Sequence, residues 1–125
     1  MTIKAATELV GEAKQSIETI NIEQLIQELN AGKITLIDVR DKDEVTAGKI
    51  PGSTNVPRGM LEFQADPSSP MYNKVFDAND RIVLHCASGG RSALAAKTLK
   101  DMGYTNVASV DGGYKAWCDA GGKVD

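Results

Sequence analysis

The chain is short of the residues that staple or metallate small proteins. Its 125 residues include two cysteines, Cys86 and Cys118, and one histidine, His85. Two cysteines cannot build a disulfide framework, so they read as free thiols in a reducing compartment. One histidine and two cysteines far apart in sequence supply too few ligands for a zinc site. No run approaches the roughly 18 apolar residues of a membrane-spanning helix. Met1 to Val10 has no apolar core and no small-residue cleavage pattern, so no signal peptide is expected. Basic and acidic residues are mixed along the sequence, with a net charge of −3. The missing basic stripe excludes a nucleic-acid surface and an anionic-membrane anchor. Repeats and low-complexity segments are absent too. A cytoplasmic protein is the expectation.

What is present is an ordinary globular composition, 42% apolar and 25% charged. This length suits one domain with a core of its own. Ala6, Leu9, Val10 and Ala13 follow helical spacing, as do Ile22, Leu25, Ile26 and Leu29. Asn21 and Gln24 form a capping-box pattern before the second group, and Gly32 is a stop. Ser16 to Ile20 reads as a first strand and Ile34 to Val39 as a buried one. A short helix is expected over 41–47, a turn at Ile50-Pro51-Gly52 and a strand over 53–56. Residues 64–79, with Asp66-Pro67-Ser68-Ser69-Pro70, read as loop. A buried strand over 81–85 leads through a Gly-rich turn into a helix over about 91–102, ended by Gly103. Val107 to Val110 is a last strand, and a last helix runs from Gly112-Gly113 to Gly121-Gly122. Alternating strands and helices predict an α/β domain with a mainly parallel sheet covered on both faces. Ligands then bind beyond the carboxyl ends of the strands, where Cys86 falls.

The segment Leu84-His85-Cys86-Ala87-Ser88-Gly89-Gly90-Arg91-Ser92 runs strand, cysteine, tight loop, helix. Sulfur attacks as a thiolate, so this site has to stabilise negative charge on Cys86. A helix start offers free N–H groups and the positive end of its dipole. No proline interrupts Ala87 to Ser92, so every amide there can donate. Gly89 and Gly90 can take positive φ and curl those amides around one point. Arg91 adds a permanent charge. The Cys86 pKa is therefore expected below that of a free thiol. An inert core cysteine is the alternative, but it has no need of such a loop. A phosphate cradle is a further possibility, since helix starts bind anions in general. Only four residues separate Cys86 from Arg91, a space better suited to one extra sulfur than to a tetrahedral phosphate.

Asp38-Val39-Arg40, Ile50-Pro51-Gly52, Cys86 to Ser92, and Gly112-Gly113-Tyr114-Lys115-Ala116-Trp117 together resemble the rhodanese domain family, in its order and spacing. The match covers about Ile17 to Ala120. It divides the chain into an N-terminal helical extension, 1–15, and a single rhodanese domain, 16–125. The resemblance implies a three-layer fold, with a five-stranded, mainly parallel sheet flanked by helices. It also implies that Cys86 carries sulfur. In the family a six-residue loop from cysteine to arginine accompanies sulfur transfer, whereas related cell-cycle phosphatases have one residue more. Cys86 to Arg91 matches the shorter form. Lys49 replaces the family's usual His before Ile-Pro-Gly, and His85 replaces an aromatic or aliphatic residue before the cysteine.

Adjacent strand residues face opposite ways, so His85 is expected to turn from the site into a packed, hydrogen-bonded position. Asp38 and Arg40 end a strand at the same edge as Cys86. Either Asp38 braces the loop while Arg40 pairs with an acid such as Glu44, or both are ordinary strand-end charges. Arg58 could reach an anionic donor at the mouth, or it and Glu62 are solvated surface charges. Trp117 reads as core, Gly112-Gly113 as a tight turn, and Cys118 as unreactive.

The expected chemistry is a sulfur transfer in two steps. Cys86 takes the outer sulfur of an anionic donor such as thiosulfate, then gives it to a thiol or cyanide. The amides of Ala87, Ser88, Gly89, Gly90, Arg91 and Ser92 hold the terminal sulfur. Arg91, with Arg58, orients the donor. No metal or organic cofactor is required. The protein would be a monomer or weak dimer, and a partner protein could take part in sulfur relay. The rival readings are a phosphatase or arsenate reductase using the same cysteine, and a sulfur carrier or interaction module with little turnover.

Overall fold

Strands buried on both faces form the middle of the molecule. The computed structural model describes residues 2–125. Met1, first residue of the expected extension, lies outside them. In chain order the elements are α1 (Ala6–Ser16), β1 (Glu18–Ile20), α2 (Ile22–Ala31), β2 (Thr35–Asp38), α3 (Lys42–Ala47), β3 (Thr54–Asn55), α4 (Leu61–Ala65), β4 (Ile82–His85), α5 (Gly90–Met102), β5 (Val107–Val110) and α6 (Gly113–Asp119). The five strands form one sheet in the order β1-β5-β4-β2-β3, with every pairing parallel.

The period of two along each strand sends alternate residues into two cores. Ile37, Ile82, Leu84 and Cys86 join Ala95, Ala96 and Leu99 of α5 on one face. Leu36, Val83, Ala108 and Val110 join Leu25 of α2 and Trp117 of α6 on the other. Both faces of the central strands are thus covered, which explains their near-continuous apolar sequences. Cys86 lies just past the carboxyl end of β4, the middle strand, on the α5 face. The expected three-layer α/β fold is the fold observed.

Local signals explain the element boundaries. At α2, Asn21 Oδ1 accepts from Gln24 N–H and Gln24 Oε1 from Asn21 N–H, each at 2.9 Å. The N-terminal helix reaches Ser16 and lies along α5, with Ala13 fully buried. It is packed onto the domain. Helix α4, which follows a 3₁₀ turn at Arg58–Met60, begins ahead of the loop expected over 64–79. Its buried pair, Leu61 and Ala65, makes one i,i+4 contact, too short a pattern to register as periodicity.

Asp38 and Arg40 differ most from expectation. Asp38 is 0% and Arg40 3% exposed. Arg40 Nε donates to Asp38 Oδ1 at 3.0 Å and Nη2 to Oδ2 at 2.8 Å. Nη2 also donates to the Gly48 carbonyl at 2.9 Å, and the guanidinium lies over the Tyr114 ring, 4.1 Å from its centroid. Arg40 therefore pairs with Asp38, not Glu44, and Asp38 braces Arg40 and not the active loop. A fork-shaped cation has to stay beside its carboxylate once both leave water. The pair ties the end of β2 to the turn after α3 and to α6. His85, the cross-strand neighbour of Asp38, is buried with them on the face opposite Cys86. Its Nδ1 lies 3.3 Å from the Cys86 carbonyl oxygen, and its Nε2 lies 3.6 Å from Asp38 Oδ2 with no hydrogen-bond partner. Burial pushes the imidazole pKa down, against the pull of Asp38.

Arg40→Met keeps much of the side-chain volume and strands the Asp38 carboxylate. It is expected to cost about 3–5 kcal/mol in urea unfolding. A loss below about 1 kcal/mol would show that the pair is not an anchor.

Candidate active site

Two backbone amides and one hydroxyl converge on Cys86 Sγ. The Gly89 N–H donates to sulfur at 3.1 Å and the Ser92 N–H at 3.4 Å, and Ser92 Oγ lies 3.5 Å away. The chain bends this way because Gly89 has φ +114 just before α5. Side-chain-bearing residues rarely adopt that conformation. Gly90, also expected to supply positive φ, does not; it is the first residue of α5.

The cysteine is 1% exposed. Burial pushes its pKa up. The Ser92 hydroxyl and the amides of Ser92, Gly89 and Ser88 outweigh this, so the thiol titrates below its ordinary value. Hydrogen bonds to the charged form exceed desolvation here.

The loop is held from beneath by the start of α6. The Tyr114 N–H donates to the Cys86 carbonyl at 2.8 Å and the Lys115 N–H to the Ala87 carbonyl at 3.1 Å. Gly113, at φ +53, makes this approach possible, because a β-carbon there would run into the Cys86 carbonyl oxygen. Gly112-Gly113 is more than a tight turn: it docks the Cys86 loop. Ser109 on β5 is a residue that sequence reasoning passed over. Its Oγ lies 2.8 Å from Ser92 Oγ, and it is almost fully buried. A lone hydroxyl in the run Val107-Ala108-Ser109-Val110 was the available signal, since a buried hydroxyl needs a partner.

The two arginines are each paired with an acid. Arg91 Nη1 and Nη2 donate to the two carboxylate oxygens of Glu44 at 2.7 and 3.0 Å. That contact takes the Glu44 pKa down to about 2. The guanidinium is charged but already paired at the rim. Arg58 donates to Glu62 Oε1 at 2.9 Å and to Thr98 Oγ1 at 3.0 Å. Thr98 lies eight residues along α5 from Gly90, roughly 12 Å at the helical rise. Its guanidinium is thus engaged by Glu62 and by α5, while the Arg58 backbone N–H donates to the Val39 carbonyl at 3.1 Å, beside the end of β4. Trp117 is buried and donates from Nε1 to the Lys123 carbonyl, while Cys118 is exposed. Among the described residues no cluster of His, Cys, Asp or Glu could hold a metal ion, and no helix is long and apolar enough to cross a membrane.

Known proteins share this fold. A solved structure from Rhodopseudomonas palustris, of unknown function and described as a possible tyrosine phosphatase, superposes with a TM-score of 0.93 at 43% identity. The match covers 100% of this chain and 98% of that one. Human thiosulfate:glutathione sulfurtransferase is 28% identical over 107 residues, 81% of this chain and 93% of its own. Thiosulfate sulfurtransferase 16, chloroplastic, of Arabidopsis thaliana is 36% identical over 89 residues, 68% of this chain and 74% of its own. The rhodanese-like domain model matches residues 21–120. With its parallel sheet, its amide-lined cysteine and that match across most of its length, the chain belongs to the rhodanese-like domain family.

Proposed function

We propose that the protein is a sulfurtransferase that carries a sulfane sulfur on Cys86 as a persulfide, with thiosulfate as a donor. The observation that carries this reading is the pairing of a sulfur-directed amide cradle with an arginine turned onto Glu44. A phosphatase loop needs a guanidinium free to take a phosphate's oxygens. Here both terminal guanidinium nitrogens already serve a carboxylate. That weighs against phosphatase and arsenate reductase chemistry.

In the first step the Cys86 thiolate attacks the outer sulfur of thiosulfate. A new S–S bond forms, the old one breaks, and its electron pair leaves with sulfite. The charge passes to the outer sulfur of the persulfide, within reach of the loop amides. In the second step an acceptor thiolate or cyanide attacks that outer sulfur, and Cys86 leaves again as thiolate. Low leaving-group basicity helps here, so one depressed pKa serves both steps. Ser88 is the exposed residue of the loop and marks the side from which donor and acceptor approach. Arg91 supplies a positive rim that Glu44 tempers. A reducing, cytoplasmic setting keeps Cys86 and Cys118 free, and a protein acceptor in a sulfur relay is compatible with it. A carrier with little turnover would load sulfur but release it slowly to small acceptors.

Intact mass after thiosulfate treatment is expected to rise by one sulfur in the wild type and to stay constant in Cys86→Ser. Sulfur gain in both, or in neither, sinks the proposal. The loading rate should rise with pH as thiol becomes thiolate, then level off with a midpoint below the free-thiol value of about 8.5. Glu44→Gln should release Arg91 and lower the thiosulfate KM about threefold at low salt, with kcat little changed. An unchanged or raised KM would remove Arg91 from donor binding.

A further inference from the structure

Behind the sulfur lies a second hydroxyl that the mechanism above does not use. Ser109 is the register partner of Leu84 on β4, and its side chain faces α5, like those of Leu84 and Cys86. Its neighbours Ala108 and Val110 turn to the opposite core. Ser109 Oγ is 2.8 Å from Ser92 Oγ, the tightest contact that hydroxyl makes. Ser92 Oγ has two weaker neighbours, the Gly89 carbonyl oxygen at 3.3 Å and Cys86 Sγ at 3.5 Å. It has one proton to distribute among them.

We propose that Ser109 is a positioning residue that acts through Ser92, donating its hydroxyl proton to Ser92 Oγ and so freeing the Ser92 O–H to turn from the Gly89 carbonyl to Cys86 Sγ when the sulfur is charged. If Ser92 instead donated to Ser109, it would present only lone pairs to the sulfur. That arrangement suits a neutral thiol, whose S–H can donate to Ser92. The ionised sulfur needs the reverse order, Ser109 to Ser92 to sulfur, and a donor that is itself receiving a hydrogen bond is polarised and strengthened. On ionisation the thiol proton leaves to solvent and the two hydroxyls rotate. No other proton moves.

The charged and titratable groups around the thiol are Arg91 of α5, its partner Glu44 of α3, His85 of β4 behind the carbonyl, Asp111 just past β5 with Lys14 of α1 beside it, and Tyr114 and Lys115 of α6. None of these is within the hydroxyl pair, so removing the Ser109 oxygen leaves their charges in place.

This role rests on Cys86 acting as a thiolate, but it does not require that the thiolate transfers sulfur. Iodoacetamide alkylation against pH, in a Cys118→Ser background, reads the thiolate directly. Ser109→Ala should raise the alkylation midpoint by about half a pH unit, or about threefold less thiolate at neutral pH. Ser109→Thr and Ser109→Val are equal in shape, so their comparison isolates the hydroxyl even where alanine disturbs folding. The threonine variant should retain the lower midpoint. In a Ser92→Ala background, Ser109→Ala should cause no further shift. Equal midpoints for Thr and Val, or a full shift without Ser92, would overturn the proposal. A shifted midpoint in a protein that never loads sulfur would uphold Ser109 and refute the sulfurtransferase reading instead.

Discussion

The site depends on a balance at one buried sulfur atom. Burial alone would make Cys86 a poor nucleophile, as it does for most core cysteines. Amides from Gly89 and Ser92, with the Ser92 hydroxyl, reverse that outcome at distances of 3.1 to 3.5 Å. The same cover that raises the cost of charge keeps water from competing for these donors. A shallower cysteine would be easier to ionise but would lose the ordered cradle that can receive an added sulfur.

Much of the remaining fold keeps that cradle rigid. The β4–α5 junction supplies the bend, and α6 grips the loop carbonyls from below through a glycine that tolerates backbone contact. The Arg40–Asp38 pair fixes the ground under α6 through Gly48 and Tyr114. It touches no reacting atom. Its contribution is to hold the helix whose first amides hold the loop.

Sequence read well wherever the signal was local. Period-two alternation from Ile82 to Cys86 correctly sent the cysteine to one face and His85 to the other. The Cys86–Arg91 spacing and the strand-to-helix setting located the candidate nucleophile and the source of its amides. Sequence read poorly wherever a long side chain chose among partners. Arg91 found Glu44, 47 positions away, and Arg40 turned back to Asp38 two positions away. Each arginine had several acids within conceivable reach, and only folded geometry decides between them. Ser109 was missed for a related reason. It acquires a partner only when α5 folds across β5, and a small hydroxyl barely disturbs an apolar pattern.

The ultraviolet absorbance of the thiolate, followed against pH as the difference between wild type and Cys86→Ser, tests the electrostatic balance without any substrate. A cradled sulfur predicts a single transition centred clearly below the free-thiol value of about 8.5. A transition at or above that value would mean that burial wins and that the amides do not hold an anion.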